Sequence, residues 1–100
     1  NDFAKLPSGK VIQALTFYYV TKYAIENSGH VKEIVVVQHK LDVFDINYVA
    51  NQDLNDVQKQ NILKAIDQYL DPNLKINFNR KSQIKRSKSG KLKQFVSNLK

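Results

Sequence analysis

The chain has 100 residues, 42% of them hydrophobic and 10% aromatic, which is the make-up of one globular domain at the small end of what buries a core. It carries 16 Lys and Arg against 9 Asp and Glu, a net charge of +7, and no cysteine, so disulfides, thiolate metal sites and cysteine nucleophiles are excluded. No run approaches 18 consecutive apolar residues and no charged-then-apolar leader opens the chain, so neither a membrane span nor a secretion signal is expected, and the lack of cysteine fits a cytoplasmic location.

The opening Asn1-Asp2-Phe3, with no initiator methionine, is what a domain excised from a longer protein would show. Phe3 to Leu6 and Lys10 to Gln13 are short extended pieces around the turn residues Pro7-Ser8-Gly9, and a small β-hairpin is expected there. Ala14 to Asn27 lacks Gly and Pro and stops at Ser28-Gly29, where glycine suits the left-handed residue that ends a helix. Its aromatics Phe17, Tyr18, Tyr19 and Tyr23 cover more than one face, so periodicity alone does not name the buried stripe.

Val31 to Gln38 is rich in β-branched residues, and Leu41 to Ala50 follows after a tight His39-Lys40 link. Phe44, Ile46 and Tyr48 alternate with Asp45 and Asn47, the period of a half-buried strand, so the pair reads as an antiparallel hairpin. Asn55 stands three residues before Gln58, a capping-box spacing. Ile62, Leu63, Ile66, Tyr69 and Leu70 then repeat at helical spacing until Asp71-Pro72. Leu74, Ile76 and Phe78 alternate with Lys75, Asn77 and Asn79 as a further strand, and Leu92, Phe95, Val96 and Leu99 predict a short closing helix. The order predicts an α+β fold in one domain: a small antiparallel sheet with two helices packed on one face, plus an N-terminal β-hairpin.

Charge is divided unevenly along this domain. The first 79 residues are nearly neutral, with 8 Lys and Arg against 9 acids, whereas Arg80, Lys81, Lys85, Arg86, Lys88, Lys91, Lys93 and Lys100 come without one acidic residue. Such a segment is built to meet a phosphate or another anion. Within it, Ser89-Gly90-Lys91 puts a lysine directly after a flexible step, and glycine permits a tight turn and a close approach. A lysine so placed presents a compact charge with three donors. At an effective dielectric of about 20, one charge pair about 4 Å apart is worth roughly 4 kcal/mol. Part of that, expressed only in a transition state, accelerates a reaction by about a thousandfold.

Other chemistries find less support. His30 and His39 are nine residues apart with no acidic cluster at ligand spacing, so no metal site is expected. No Gly-x-Ser-x-Gly turn marks a hydrolase nucleophile. A phosphate-cradling P-loop would need glycine at 85 and Ser or Thr at 92, where Lys85 and Leu92 stand. The six aspartates from Asp42 to Asp71 read as strand-edge, capping and solvated groups. Besides a merely solvated basic tail, three readings remain: a reactive lysine, a basic α+β nucleic-acid-binding module, or a regulatory or protein-interaction domain. The second lacks the Gly-aromatic-x-Phe stacking signature.

Two motifs decide among them. Asp2-Phe3, followed by Leu6-Pro7-Ser8-Gly9-Lys10-Val11-Ile12, resembles the hinge segment of the C-terminal domain of the acyl-adenylate-forming (AMP-binding) enzymes, a ferredoxin-like lid. Ile84-Lys85-Arg86-Ser87-Lys88-Ser89-Gly90-Lys91 resembles that family's closing motif, usually Ile-Pro-Arg-Thr-x-Ser-Gly-Lys, with Lys85 in place of the proline. Val37-Gln38 with Leu41-Asp42 is similar to the central hairpin of the phenylacetate–CoA ligase and capsular-polysaccharide-biosynthesis branch, so the resemblance covers essentially the whole chain.

The resemblance implies that Lys91 is the catalytic lysine of adenylation, Asp2 the hinge, and Arg86, Ser87, Ser89, Gly90 and Gly9 the residues that support the two motifs. It divides the chain into hinge and hairpin (1–13), α+β core (14–83) and catalytic-lysine loop with closing helix (84–100). It further implies ATP, Mg²⁺ and coenzyme A as the parent enzyme's substrates and cofactor, held mainly by an N-terminal adenylating domain. That domain and a small carboxylic acid are the expected partners, a membrane is not, and the isolated fragment is expected to be inert.

Overall fold

The computed structural model describes residues 3–26, 30–86 and 88–99; Asp2, Ser87 and the Ser28-Gly29 helix stop lie outside the described residues. The chain opens with a two-stranded hairpin, β1 (Phe3–Lys5) and β2 (Val11–Gln13), paired antiparallel with Ala4 opposite Ile12. Gly9 N–H donates to the Leu6 carbonyl and Leu6 N–H to the Lys10 carbonyl, both at 2.9 Å. Gly9 sits at φ +89°, the left-handed position of a three-residue hairpin loop.

Helix α1 (Ala14–Glu26) follows without a break. Its buried positions Ala14, Phe17, Tyr18, Thr21, Ala24 and Ile25 fall at helical spacing, which settles the ambiguity of its aromatics. Phe17 and Tyr18 face the core, and Tyr19 and Tyr23 point outward. Strands β3 (Val31–Lys40) and β4 (Val43–Ala50) form the expected antiparallel hairpin, with the turn at Leu41-Asp42 rather than at His39-Lys40. Helix α2 (Asp56–Tyr69) begins with the expected reciprocal cap: Gln58 N–H donates to Asn55 Oδ1, and Asn55 N–H to Gln58 Oε1, each at 2.8 Å. Ile62 and Ile66 are its buried stripe, and Tyr69 lies exposed.

The α+β class, the two helices and the hairpin are as the sequence predicts; the sheet differs. It is mixed, not antiparallel, with strand order β5-β4-β3-β6. β5 (Lys75–Lys81) runs parallel to β4, because α2 carries the chain back to the start of β4 before the next strand begins. The closing helix is absent. In its place β6 (Phe95–Ser97) pairs parallel with β3. Four apolar residues at helical spacing lose to the unpaired edge of β3, where Val36 N–H donates to the Gln94 carbonyl (3.0 Å) and Asn98 N–H to the Gln38 carbonyl (2.8 Å).

One core joins these layers. Phe17 of α1 stacks on Phe44 of β4, ring centroids 4.5 Å apart, and meets Phe95 of β6 at 6.0 Å. Ile34, Val36, Ile46 and Tyr48 continue the sheet's inner face, with Tyr48 Oη accepting from Leu54 N–H at 3.0 Å. Two polar fastenings tie the hairpin to this body. Buried Gln38 donates through Nε2 to the Lys5 carbonyl at 2.8 Å. Buried Asp71, just past α2, accepts from Ser8 N–H (3.1 Å) and Ser8 Oγ (2.7 Å) through one carboxylate oxygen. Lys10 Nζ adds a bond to the Leu70 carbonyl at the helix C-terminus (3.3 Å).

Asp71→Ala leaves Ser8 without its acceptor and is expected to cost about 2 kcal/mol of stability, within the range for a lost charged hydrogen bond. Urea unfolding reads the total, and hydrogen exchange at Gly9 reads the hairpin; a loss below about 0.5 kcal/mol with unchanged exchange would show that Asp71 does not fasten it.

Candidate functional site

β5 and β6 lie on opposite edges of the sheet, and both face the same end of it with their joining termini. Residues 82–94 must therefore cross from one edge to the other, past the start of β3 and the end of β4. Two anchors hold that crossing. The Arg86 guanidinium pairs with the carboxylate of Glu33 on β3. Glu33 lies on the face away from the core, since its neighbour Ile34 points inward. At the far end, Gln94 and Phe95 lock onto Val36 of β3.

Lys91 lies between these anchors and is exposed, as is Ser89. Gly90 takes φ +80°, a conformation that L-residues rarely adopt. A β-carbon built there would meet nothing within 4 Å, and the same holds at Gly9. Backbone conformation, not close approach within the domain, thus selects both glycines. Half-buried Ile84 and Leu92 flank the loop while Lys85, Lys88 and Lys93 are exposed. Arg80 is tied to the body, its Nε 3.1 Å from Asp53 Oδ1 and its Nη1 donating to the Asn51 carbonyl at 3.0 Å.

The structure separates the two ends of the domain. Gln38 holds the hairpin at one point of β3 and Glu33 holds the basic segment at another, five residues along. At about 3.3 Å per residue this is roughly 16 Å. Arg86 is thus held away from the hairpin that carries Gly9, whereas the loop with Ser89, Gly90 and Lys91 runs from Arg86 to its second anchor at Val36, two residues from Gln38; Asp2 and Ser87 are outside the described residues. The fastening roles of Glu33, Gln38 and Asp71 had no signal in the sequence. Their partners are 53, 33 and 63 residues away, beyond the reach of any local spacing rule.

The sheet's outer face carries a polar row among valines such as Val35, Val37 and Val43. His39 Nε2 lies 2.8 Å from Asp45 Oδ2, Asn77 Nδ2 donates to Asp45 Oδ1 at 3.0 Å, and Asn79 Nδ2 to Asn47 Oδ1 at 3.0 Å. Burial pushes the Asp45 carboxyl up, but donation from Asn77 and the hydrogen bond and charge of His39 outweigh it, so its pKa is lowered from the ordinary 3.8. Phe44, Tyr48 and Phe78 all point to the core side, so this face offers no aromatic platform on which bases could stack. Among the described residues no three or more His, Asp or Glu group as metal ligands. A cleft of 620 Å³ between the helices is lined by Thr16, Tyr19, Tyr23, Asn61 and Tyr69. Its lining carries no charged side chain and so does not suit an anion.

Comparison with known families matches residues 6–98 to the CapK C-terminal domain. No curated protein matches the chain.

Asp45 is depressed in the folded state, so its contribution to stability is complete above about pH 3.8 and is lost as pH falls through the lowered value. Urea midpoints followed from pH 6 to pH 2 are expected to fall less steeply in Asp45→Asn than in the wild type. Superimposable profiles would remove Asp45 from the acid sensitivity.

Proposed function

Because the chain belongs to the CapK C-terminal domain family, the C-terminal domain of CapK and phenylacetate–CoA ligase-like adenylate-forming enzymes, we propose that it is the mobile lid of an ATP-dependent carboxylate–CoA ligase. The observation that carries this reading is Lys91, exposed on a positive-φ turn and held between two anchored points. A charge presented in this way is accessible to a companion domain, and its carrier is not free to drift.

In the first half-reaction a carboxylate oxygen of the acid attacks the α-phosphorus of ATP, the bond to the bridging oxygen breaks, and pyrophosphate leaves. Lys91 reaches into the N-terminal adenylating domain and sets its ammonium between the attacking carboxylate and the α-phosphate. There it orients the nucleophile and stabilises the charge that spreads over the phosphoryl oxygens. Arg86 and Gly90 act through the loop, the one by tying it to Glu33 and the other by allowing its turn. Mg²⁺, when bound, would neutralise the phosphate tail; the described residues hold no group of acidic ligands for it, and its site belongs to the N-terminal domain. The lid then turns about Asp2, withdraws Lys91, and brings the opposite end toward the thiol of coenzyme A. On this reading the nucleotide and acid pockets belong to the N-terminal domain, and the isolated lid is inert.

Lys91→Ala in the full-length protein is expected to lower carboxylate-dependent ATP–pyrophosphate exchange by about a thousandfold, and a loss of tenfold or less takes Lys91 out of adenylation. Asp2→Pro is expected to keep exchange and impair thioester formation, whereas an equal loss of both removes the hinge assignment. If the basic segment instead serves nucleic acid, retention on RNA or DNA falls with salt and falls again when Lys81, Lys85 or Lys88 is neutralised, with exchange untouched.

A further inference from the structure

Across the sheet's outer face, His39, Asp45 and Asn77 stand in a row on β3, β4 and β5. Asp45 uses both carboxylate oxygens, one toward His39 Nε2 at 2.8 Å and one as acceptor from Asn77 Nδ2 at 3.0 Å. The carboxylate is therefore fixed in orientation from the side away from the histidine. With Nε2–H donating to Asp45, Nδ1 is left as an acceptor on a side chain that is 41% exposed. A carboxylate behind an imidazole and an open nitrogen in front is the arrangement of an oriented general base. By register, Lys40 and Lys75 are the nearest other charged residues on this face, with Lys81 and the Glu33–Arg86 pair further along. The helices lie on the opposite face and bring none.

The place of this row in the fold gives it a task. Gln38, one residue before His39, fastens the Lys5 carbonyl of β1, the strand that follows the Asp2 hinge. His39 is thus next in sequence to the residue that fastens the hairpin, although its side chain lies on the outer face, and it is six residues, roughly 20 Å, along β3 from Glu33, the anchor of Arg86. We infer that His39 is the general base of the thioester-forming half-reaction, and that Asp45 and Asn77 position it. This rests on the lid reading, in which withdrawal of Lys91 brings the hairpin end to the thiol. Nδ1 takes the proton from the coenzyme A thiol as sulfur bonds to the acyl carbon. The bond from that carbon to the AMP phosphate oxygen then breaks, the electron pair leaves with AMP, and the imidazolium returns its proton to solvent. The products are a thioester, AMP and one proton. A free thiol has a pKa near 8.5, so most of it is protonated at neutral pH and a base is of use.

The test uses the full-length enzyme with the carboxylate that supports the fastest exchange among aryl and short-chain acids, and coenzyme A as the thiol. For His39→Gln, single-turnover transfer from preformed acyl-adenylate is expected to slow by about 100-fold at pH 7 relative to any change in exchange. The deficit should shrink toward pH 9, as the thiolate forms unaided. Asp45→Asn is expected to slow transfer by about tenfold and to move the midpoint of its pH profile, which a purely structural role would not do. The exposed ring makes His39→Gln compatible with folding, and circular dichroism checks it. Transfer within threefold of wild type at pH 7, or a deficit that does not change with pH, overturns the assignment while Lys91-dependent exchange leaves the lid reading standing. Absence of exchange with every acid removes the lid reading and this inference together.

Discussion

The contact on which the rest of this domain depends is Phe95 against Phe17, which in turn stacks on Phe44. A strand of three residues has too few backbone hydrogen bonds to hold itself on a sheet edge. Burying one phenylalanine contributes about 1.5–3 kcal/mol, and a favourable ring pair about 0.5–1.5 more. With that anchor in the core, β6 is fixed as the parallel neighbour of β3. The basic segment then has no choice but to cross the end of the sheet. Removing the ring would release Lys91 from its place without touching the lysine itself.

The same logic explains the division of labour between apolar and polar contacts. The core fixes the order of the layers, while single polar fastenings decide what happens at each end. Gln38 and Asp71 hold the hairpin, and Glu33 holds the crossing segment through Arg86. Each is a bond between distant residues whose loss costs little in comparison with the core but frees a whole element. The lid proposed above, which presents different parts to one companion at different times, would be served by this arrangement, a rigid middle with separate fastenings. The row of His39, Asp45 and Asn77 occupies the hairpin end, on the sheet face that the helices leave uncovered.

Particular residues show where a local reading reaches. The Asn55–Gln58 cap, the outline of both helices and the β3–β4 pair follow from spacing alone, because each depends on neighbours within a few residues. The closing segment did not follow. Leu92, Phe95, Val96 and Leu99 match a helical stripe, yet an edge strand some sixty residues upstream offers them a better partner. His39 was legible only as a lone histidine, and it acquired meaning when the register placed Asp45 opposite Val37.

By itself the sequence determined the α+β class, the concentration of positive charge after residue 79 and the lysine that follows Gly90, since these rest on composition and short-range pattern. The tertiary structure alone decided that the sheet is mixed, that the last segment is a strand, and that the hairpin and Arg86 are fastened at separate points of β3. The physical reason is that a parallel pairing and a distant polar fastening join residues with no shared local spacing, so their energies enter only when the chain has closed on itself.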